Sequence, residues 1–241
     1  MKSQMKSADR SGASVALIVG DDELGAGEVT LRPLRDHDAT GGEQRRVRRD
    51  DLVAELRALH AHPEVLAVGE CGLDYFRDLA PRPAQRRAFE QQLQLAAELG
   101  KPLFLHQRDA HADFMGLMKG FEGHIGPAVV HCFTGTREEL FDCLDADFYI
   151  GITGWLCDER RGGHLRDIVR NIPADRLMIE TDAPYLLPRT VRPTPSHRRN
   201  EPMYLKHIVE ELARDRGETP EQTAAISTAT SRSFFGLPVP A

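Results

Sequence analysis

Four residues of this chain carry side chains that can bind a divalent metal ion: Glu70, His106, His131 and Asp182. Each follows or ends a short apolar run with the composition of a buried strand. Taken singly, a histidine or carboxylate at a strand end is often only a hydrogen-bonding or capping residue. Its recurrence at the ends of four strands favours a shared metal site, because two imidazoles and two carboxylates suit Zn²⁺, Mn²⁺ or Mg²⁺.

Such a site predicts hydrolytic chemistry. A cation lowers the pKa of bound water and polarises a phosphoryl or carbonyl oxygen. A carboxylate beside it can accept the proton of the attacking water as general base. We assign catalytic roles to Glu70 and Asp182.

Three further residues are candidates for supporting or substrate-binding roles. Asp74 lies four residues after the first candidate ligand and could orient a ligand or a water. Arg108 could pair with a substrate phosphate, since a guanidinium matches that geometry, or form an ion pair with Asp109 or a carboxylate at the rim. Glu180 lies two residues before Asp182, so both side chains should project from the same face of a strand.

The elements that must position these residues alternate between strand and helix. Apolar runs separated by helical patterns indicate a parallel sheet with both faces covered. The carboxyl ends of parallel strands share one rim, where residues distant in sequence converge. The expected strands are 65–69, 102–106, 128–132, 148–152 and 177–181, and the expected helices lie near 51–62, 84–99, 110–120, 136–145, 163–171, 201–215 and 220–235.

Composition and charge limit the function classes. The 241 residues are 41% hydrophobic and carry a net charge of −6, so no global basic field attracts nucleic acid. The four cysteines form no dense pattern, which favours free thiols in a reducing compartment. No apolar run reaches the roughly 20 residues of a membrane span. We therefore expect a cytoplasmic protein with no membrane partner. The sequence leaves the oligomeric state open, and a monomer is favoured.

Five segments together resemble the TatD family of deoxyribonucleases, in that family's order and spacing. The run 155–161, together with 198–202, is similar to the family's eponymous members rather than to its broader relatives. The five segments are 68–74, 104–110, 130–135, 149–154 and 179–187.

The resemblance implies a TIM-like (β/α)8 barrel of the amidohydrolase type. It also implies 3′→5′ exonuclease action on DNA, with single-stranded 3′ ends as substrate, RNA as a possible second substrate, and a divalent metal, usually Mg²⁺. The family's metal ligands fall on the four residues named first.

The resemblance covers about residues 50–238 and does not extend to the part of the chain before them. The family's first strands, which carry further metal-site residues, are not recognisable there. We expect residues 1–50 to be irregular or disordered, and the first two or three barrel strands to be missing or altered, as an aberrant N-terminal region would explain. Residues 51–241 should then form the last five strands and helices of the barrel.

Two alternatives to a DNA exonuclease remain open. A barrel without its first strands could be a non-catalytic remnant. The same metal site could instead hydrolyse a small amide or ester, as other amidohydrolase barrels do.

Overall fold

The structure is a computed structural model and describes residues 15–18, 22, 26–33 and 44–238. The chain divides into two compact units, Met1–Leu66 and Ala67–Ala241. The sequence predicts a boundary between residues 50 and 51, whereas in the structure the first helix falls within the first unit. Among the described helices, none is both long and apolar enough to cross a membrane.

The first unit contains a three-stranded antiparallel sheet and a helix. Strands β1 (Val15–Ile18), β2 (Glu28–Pro33) and β3 (Arg45–Arg48) are neighbours in that order, and helix α1 spans Leu52–Leu59. The prediction of an irregular segment is therefore wrong for these three strands. Much of the remainder of residues 1–50 lies outside the described part of the chain.

The physical reason for this error lies in the arginine-rich run of β3, whose lack of apolar periodicity predicted a solvated coil. Its single apolar residue, Val47, is buried. Carboxylates also offset its charge, two of them distant in sequence, which no local pattern reveals. The ion pairs are Arg45 with Glu55, Arg46 with Glu28 and Arg48 with Asp51.

The second unit is built on a parallel sheet of five strands in sequential order, β4-β5-β6-β7-β8. The predicted α/β class with five parallel strands is confirmed, and within the described residues the sheet does not close. Its strands are β4 (Val68–Asp74), β5 (Leu103–Arg108), β6 (Ala128–Val130), β7 (Tyr149–Ile152) and β8 (Leu177–Ile179). Its helices are α2 (Arg82–Leu99), α3 (His111–Lys119), α4 (Arg137–Asp145), α5 (Gly163–Ile168), α6 (Leu205–Arg216) and α7 (Pro220–Phe235).

The two faces of this sheet differ in character. On β5, Leu103 and Leu105 are fully buried, whereas Phe104 and His106 on the alternate face are half-buried. Alternation along a strand therefore places the apolar side chains in the main core and the candidate ligands on the opposite face. Helices α2 and α3 contribute the stacked rings of Phe89 and Phe114 to that core, with centroids 5.5 Å apart.

Candidate metal centre

Glu70 lies inside strand β4, not after its end as the sequence analysis predicted. The register between β4 and β5 shifts at Gly69 and Cys71, so Glu70 occupies a bulge. A Cβ at Gly72 would stand 1.8 Å from the carbonyl oxygen of His106, so only glycine permits this close approach of β4 to β5. The strand therefore continues past the bulge to Asp74.

The two histidines come from the next two strands of the sheet. His106 lies within β5, and His131 follows β6 with its backbone N–H donating to the carbonyl of Leu105 at 2.8 Å. Neighbouring parallel strands thus bring together residues 25 positions apart.

Glu70, His106 and His131 form a cluster that could hold one metal ion. The Oε1 atom of Glu70 lies 3.0 Å from Nδ1 of His106 and 2.9 Å from Nε2 of His131, and these two nitrogens are 3.5 Å apart. Two ligands about 2.1 Å from one ion stand about 3.0 Å apart at a right angle and about 3.4 Å apart at the tetrahedral angle. The donor atoms therefore fit adjacent positions around a small divalent cation.

Each imidazole has a second carboxylate on its far side. Nε2 of His106 lies 3.2 Å from Oδ2 of Asp74, and Nδ1 of His131 lies 3.4 Å from Oε2 of Glu180. A carboxylate in this place orients the ring and fixes which nitrogen faces the metal. The geometry thus suits the supporting roles expected of Asp74 and Glu180.

Backbone groups and a glycine hold these outer carboxylates in place. Asp74 accepts hydrogen bonds from the backbone N–H of Arg77 at 2.7 Å and from its guanidinium at 3.0 Å. Glu180 accepts one from the N–H of Cys132. A Cβ at Gly151 would lie 2.5 Å from Oε1 of Glu180, so this glycine leaves the space that the carboxylate fills. Sequence reasoning did not single out Arg77 or Gly151, because neither residue type at those positions signals a metal site.

The charges of the cluster are strongly coupled. Hydrogen bonds from His106 and His131 hold the pKa of Glu70 well below its usual range. Burial disfavours the charged form of His131, but hydrogen bonds to Glu180 and Glu70 outweigh it and raise the pKa to about 10. The two carboxylates thus favour the protonated form of the His131 ring.

Asp182 lies near this cluster but outside the group of three. Among the described residues, the group of three or more possible metal ligands whose donor atoms all lie within 4.8 Å of one another consists of Glu70, His106 and His131. Asp182 is half-buried in the loop three residues after the end of β8, and burial raises the pKa of its carboxyl while the charge of His131 opposes that rise. Its roles as fourth ligand and as base stay predictions.

Arg108 ends strand β5 and lies against aromatic rings. Its Cζ is 3.9 Å from the ring centroid of Phe76 and 5.1 Å from that of Trp155. In the part of the chain that the structure describes, no carboxylate lies within ion-pair distance of it. The alternative of an ion pair with a nearby carboxylate is therefore wrong within this part, and the guanidinium N–H groups are left for another acceptor.

Two family models match the sequence. One, described as TatD related DNase, matches residues 32–236, which is most of the chain and begins before the resemblance recognised from the sequence. The other, described as an anticodon binding domain, matches residues 1–59, about a quarter of the 241 residues, and overlaps the first match.

Relatives of known name agree with the first match. The chain is 52% identical over 189 residues to the 3′-5′ ssDNA/RNA exonuclease TatD of Citrobacter rodentium (strain ICC168), covering 78% of this chain and 72% of the relative. It is 54% identical over 188 residues to the protein of the same name from Erwinia billingiae (strain Eb661), with the same coverage.

A solved structure gives the same assignment for the fold. The crystal structure of YJJV, a TatD homologue from Escherichia coli k12, superposes with a TM-score of 0.70 at 27% identity, covering 78% of this chain and 71% of that one. The five parallel strands are thus part of the TIM-like barrel of these proteins, as the sequence predicted. The chain belongs to the family of TatD-related DNases.

Proposed function

We propose that this chain is a metal-dependent exonuclease that removes nucleotides from the 3′ end of single-stranded DNA. The observation that carries the proposal is the cluster of Glu70, His106 and His131, whose donor atoms lie 2.9–3.5 Å apart. It is supported by the relatives named 3′-5′ ssDNA/RNA exonuclease. These names also make RNA a second candidate substrate.

The residues of the cluster have distinct roles in this reaction. Glu70, His106 and His131 would hold the cation. When bound, it would act as a Lewis acid that makes water more acidic and the phosphate more electrophilic. Asp182 accepts the proton of the attacking water as a new oxygen–phosphorus bond forms. An ester bond of the phosphodiester breaks, and the leaving oxygen takes up a proton from solvent. Asp74 and Glu180 keep the two imidazoles in one orientation, since each contacts the nitrogen that faces away from Glu70.

The identity of the cation is a finer proposal. Mg²⁺ is the ion that the resemblance implies. A set with two imidazole nitrogens favours transition metals such as Mn²⁺ or Zn²⁺ in affinity, because Mg²⁺ prefers oxygen ligands and water. We therefore expect Mn²⁺ to support activity at lower concentration than Mg²⁺. The cytoplasmic location and the monomeric state stay predictions.

The test is a degradation assay with purified, metal-stripped protein. Single-stranded oligonucleotides labelled at the 5′ end should shorten stepwise when Mn²⁺ or Mg²⁺ is added, and EDTA should stop the reaction. A blocked 3′ terminus should abolish degradation, whereas a blocked 5′ terminus should not. Folded protein that cleaves no oligonucleotide with either metal would favour the non-catalytic remnant. Hydrolysis of small esters or amides alone would favour the amidohydrolase alternative.

A further inference from the structure

Phe76 exposes an aromatic ring beside the candidate metal centre. The residue is 60% exposed, on the turn that follows β4, two positions after Asp74. One side of the ring carries the guanidinium of Arg108, and no other aromatic ring of the described residues packs against it. An exposed ring at the rim of a site is a platform on which a flat ligand can stack.

The ring belongs to a stack of cation–π contacts. Arg108 lies over the rings of both Phe76 and Trp155, and Arg161 lies over the ring of Trp155 at 4.1 Å. Trp155 packs against the main hydrophobic core, which anchors the inner end of the stack. The stack thus supports one face of the Phe76 ring and holds the guanidinium of Arg108 beside it.

The stack is also fixed relative to the metal centre. Arg108 lies two residues after His106, so the two side chains leave the same face of β5 about 7 Å apart along the strand. The N–H of Tyr75 donates to the carbonyl of Arg108 at 2.9 Å, which ties the turn carrying Phe76 to the end of β5. Asp74 links the start of the same turn to the ring of His106.

We propose that Phe76 stacks on an unpaired base near the 3′ end of the bound strand, and that Arg108 binds the phosphate next to that base. This inference rests on the proposed function and names how that site holds its substrate. A base offers a flat π-face whatever its identity, so the contact suits an enzyme that accepts any sequence. It also supplies affinity that the net charge of −6 does not provide.

The test is a coupling experiment between Phe76 and single bases. Oligodeoxythymidylates carry an abasic residue at the first, second or third position from the 3′ end, and binding is measured by anisotropy in EDTA. At one of these positions, loss of the base should weaken binding to the unaltered protein about fivefold or more. Phe76→Ala should weaken binding of the intact strand by a similar factor, and should no longer distinguish the abasic strand from the intact one.

Two variants separate stacking from unrelated effects. Phe76→Tyr keeps the aromatic face and should retain the discrimination. Phe141→Ala removes another partly exposed phenylalanine with an arginine beside it, on helix α4, and should behave as the unaltered protein. If binding in EDTA is too weak to measure, kcat/KM in Mn²⁺ is measured instead, for each protein with the intact and the abasic strands.

The outcome that overturns the inference is a Phe76→Ala variant that still distinguishes every abasic strand as the unaltered protein does. If degradation nevertheless stops on chelation and starts at the 3′ end, the proposed function stands and only the stacking site is wrong. If no strand is degraded at all, the proposed function itself fails.

Discussion

Glu180 offers a way to test whether the outer carboxylates position the metal ligands. Glu180→Gln preserves the shape of the side chain and can still accept the N–H of Cys132 through its remaining oxygen. It replaces the carboxylate that faces Nδ1 of His131 with a group that can place a donor there, so the ring loses the partner that fixes its orientation.

The size of the effect follows from that contact. Loss of a group that orients a metal-ligating histidine costs about 10- to 100-fold in metal affinity, or about 1.4–2.7 kcal/mol. The separation of Nδ1 and Oε2 is long, at 3.4 Å, so we expect a value closer to tenfold. Calorimetric titration of the metal-stripped protein with Mn²⁺ measures this directly.

Glu210→Gln is the matched control, because it removes the same charge from an exposed position on helix α6. It should leave the affinity for Mn²⁺ unchanged. An affinity of Glu180→Gln equal to that of the unaltered protein would refute the positioning role. A complete loss of binding would instead identify Glu180 as a metal ligand.

Three further changes have defined outcomes. Gly151→Ala places a Cβ 2.5 Å from Oε1 of Glu180, so it should lower Mn²⁺ affinity in the same titration, and an unchanged affinity would count against that crowding. Phe114→Ala empties a fully buried site in the core and should lower the free energy of unfolding in urea by about 3–5 kcal/mol; a loss under 1 kcal/mol would contradict the packing. Asp158 is buried, and hydrogen bonds from Arg160 hold the pKa of its carboxyl well below its usual range. Its stabilising contribution is therefore present above about pH 4 and lost as the pH falls towards its folded pKa, so the stability difference from Asp158→Asn should shrink between pH 7 and pH 3. A difference that does not change with pH would refute the assignment.

The sequence predicted the convergence of the histidines and Glu70 because strand-end position is readable from apolar runs. In a parallel sheet that position alone brings such residues to one rim. Glu180 was also predicted as a supporting group, since it was expected to alternate with Asp182 along one strand, although β8 ends at Ile179, before both residues. These inferences depend on the local order of apolar and polar residues. They hold even where the predicted ends of a strand differ from the observed ones.

The path of β4 could not be predicted in the same way. Glu70 and Gly72 interrupt the apolar run, and a polar residue beside glycine ordinarily indicates the end of a strand. The strand continues because Gly72 can approach the carbonyl of His106 closely, and His106 is 34 positions away in sequence. Sequence periodicity carries no information about such a contact.

The strands of the first unit were missed for a related reason. The run around Val47 is dominated by arginines, and its charge is offset by ion pairs, such as that of Arg45 with Glu55 ten residues later. The aromatic support of Arg108 was missed because Trp155 is 47 residues away and follows a different strand. In both cases, the structure depends on partner residues that are distant in sequence.

The most direct test of the metal centre compares 3′-end degradation of single-stranded DNA by the unaltered protein and by Glu70→Ala. Both are measured in saturating Mn²⁺, after circular dichroism has shown that both are folded. Glu70 contacts both histidines, so its loss removes the central donor of the cluster. We predict a rate at least about a hundredfold lower, because a catalytic cation contributes several kcal/mol to the transition state. Equal rates for the two proteins would contradict the assignment of this cluster as the catalytic centre.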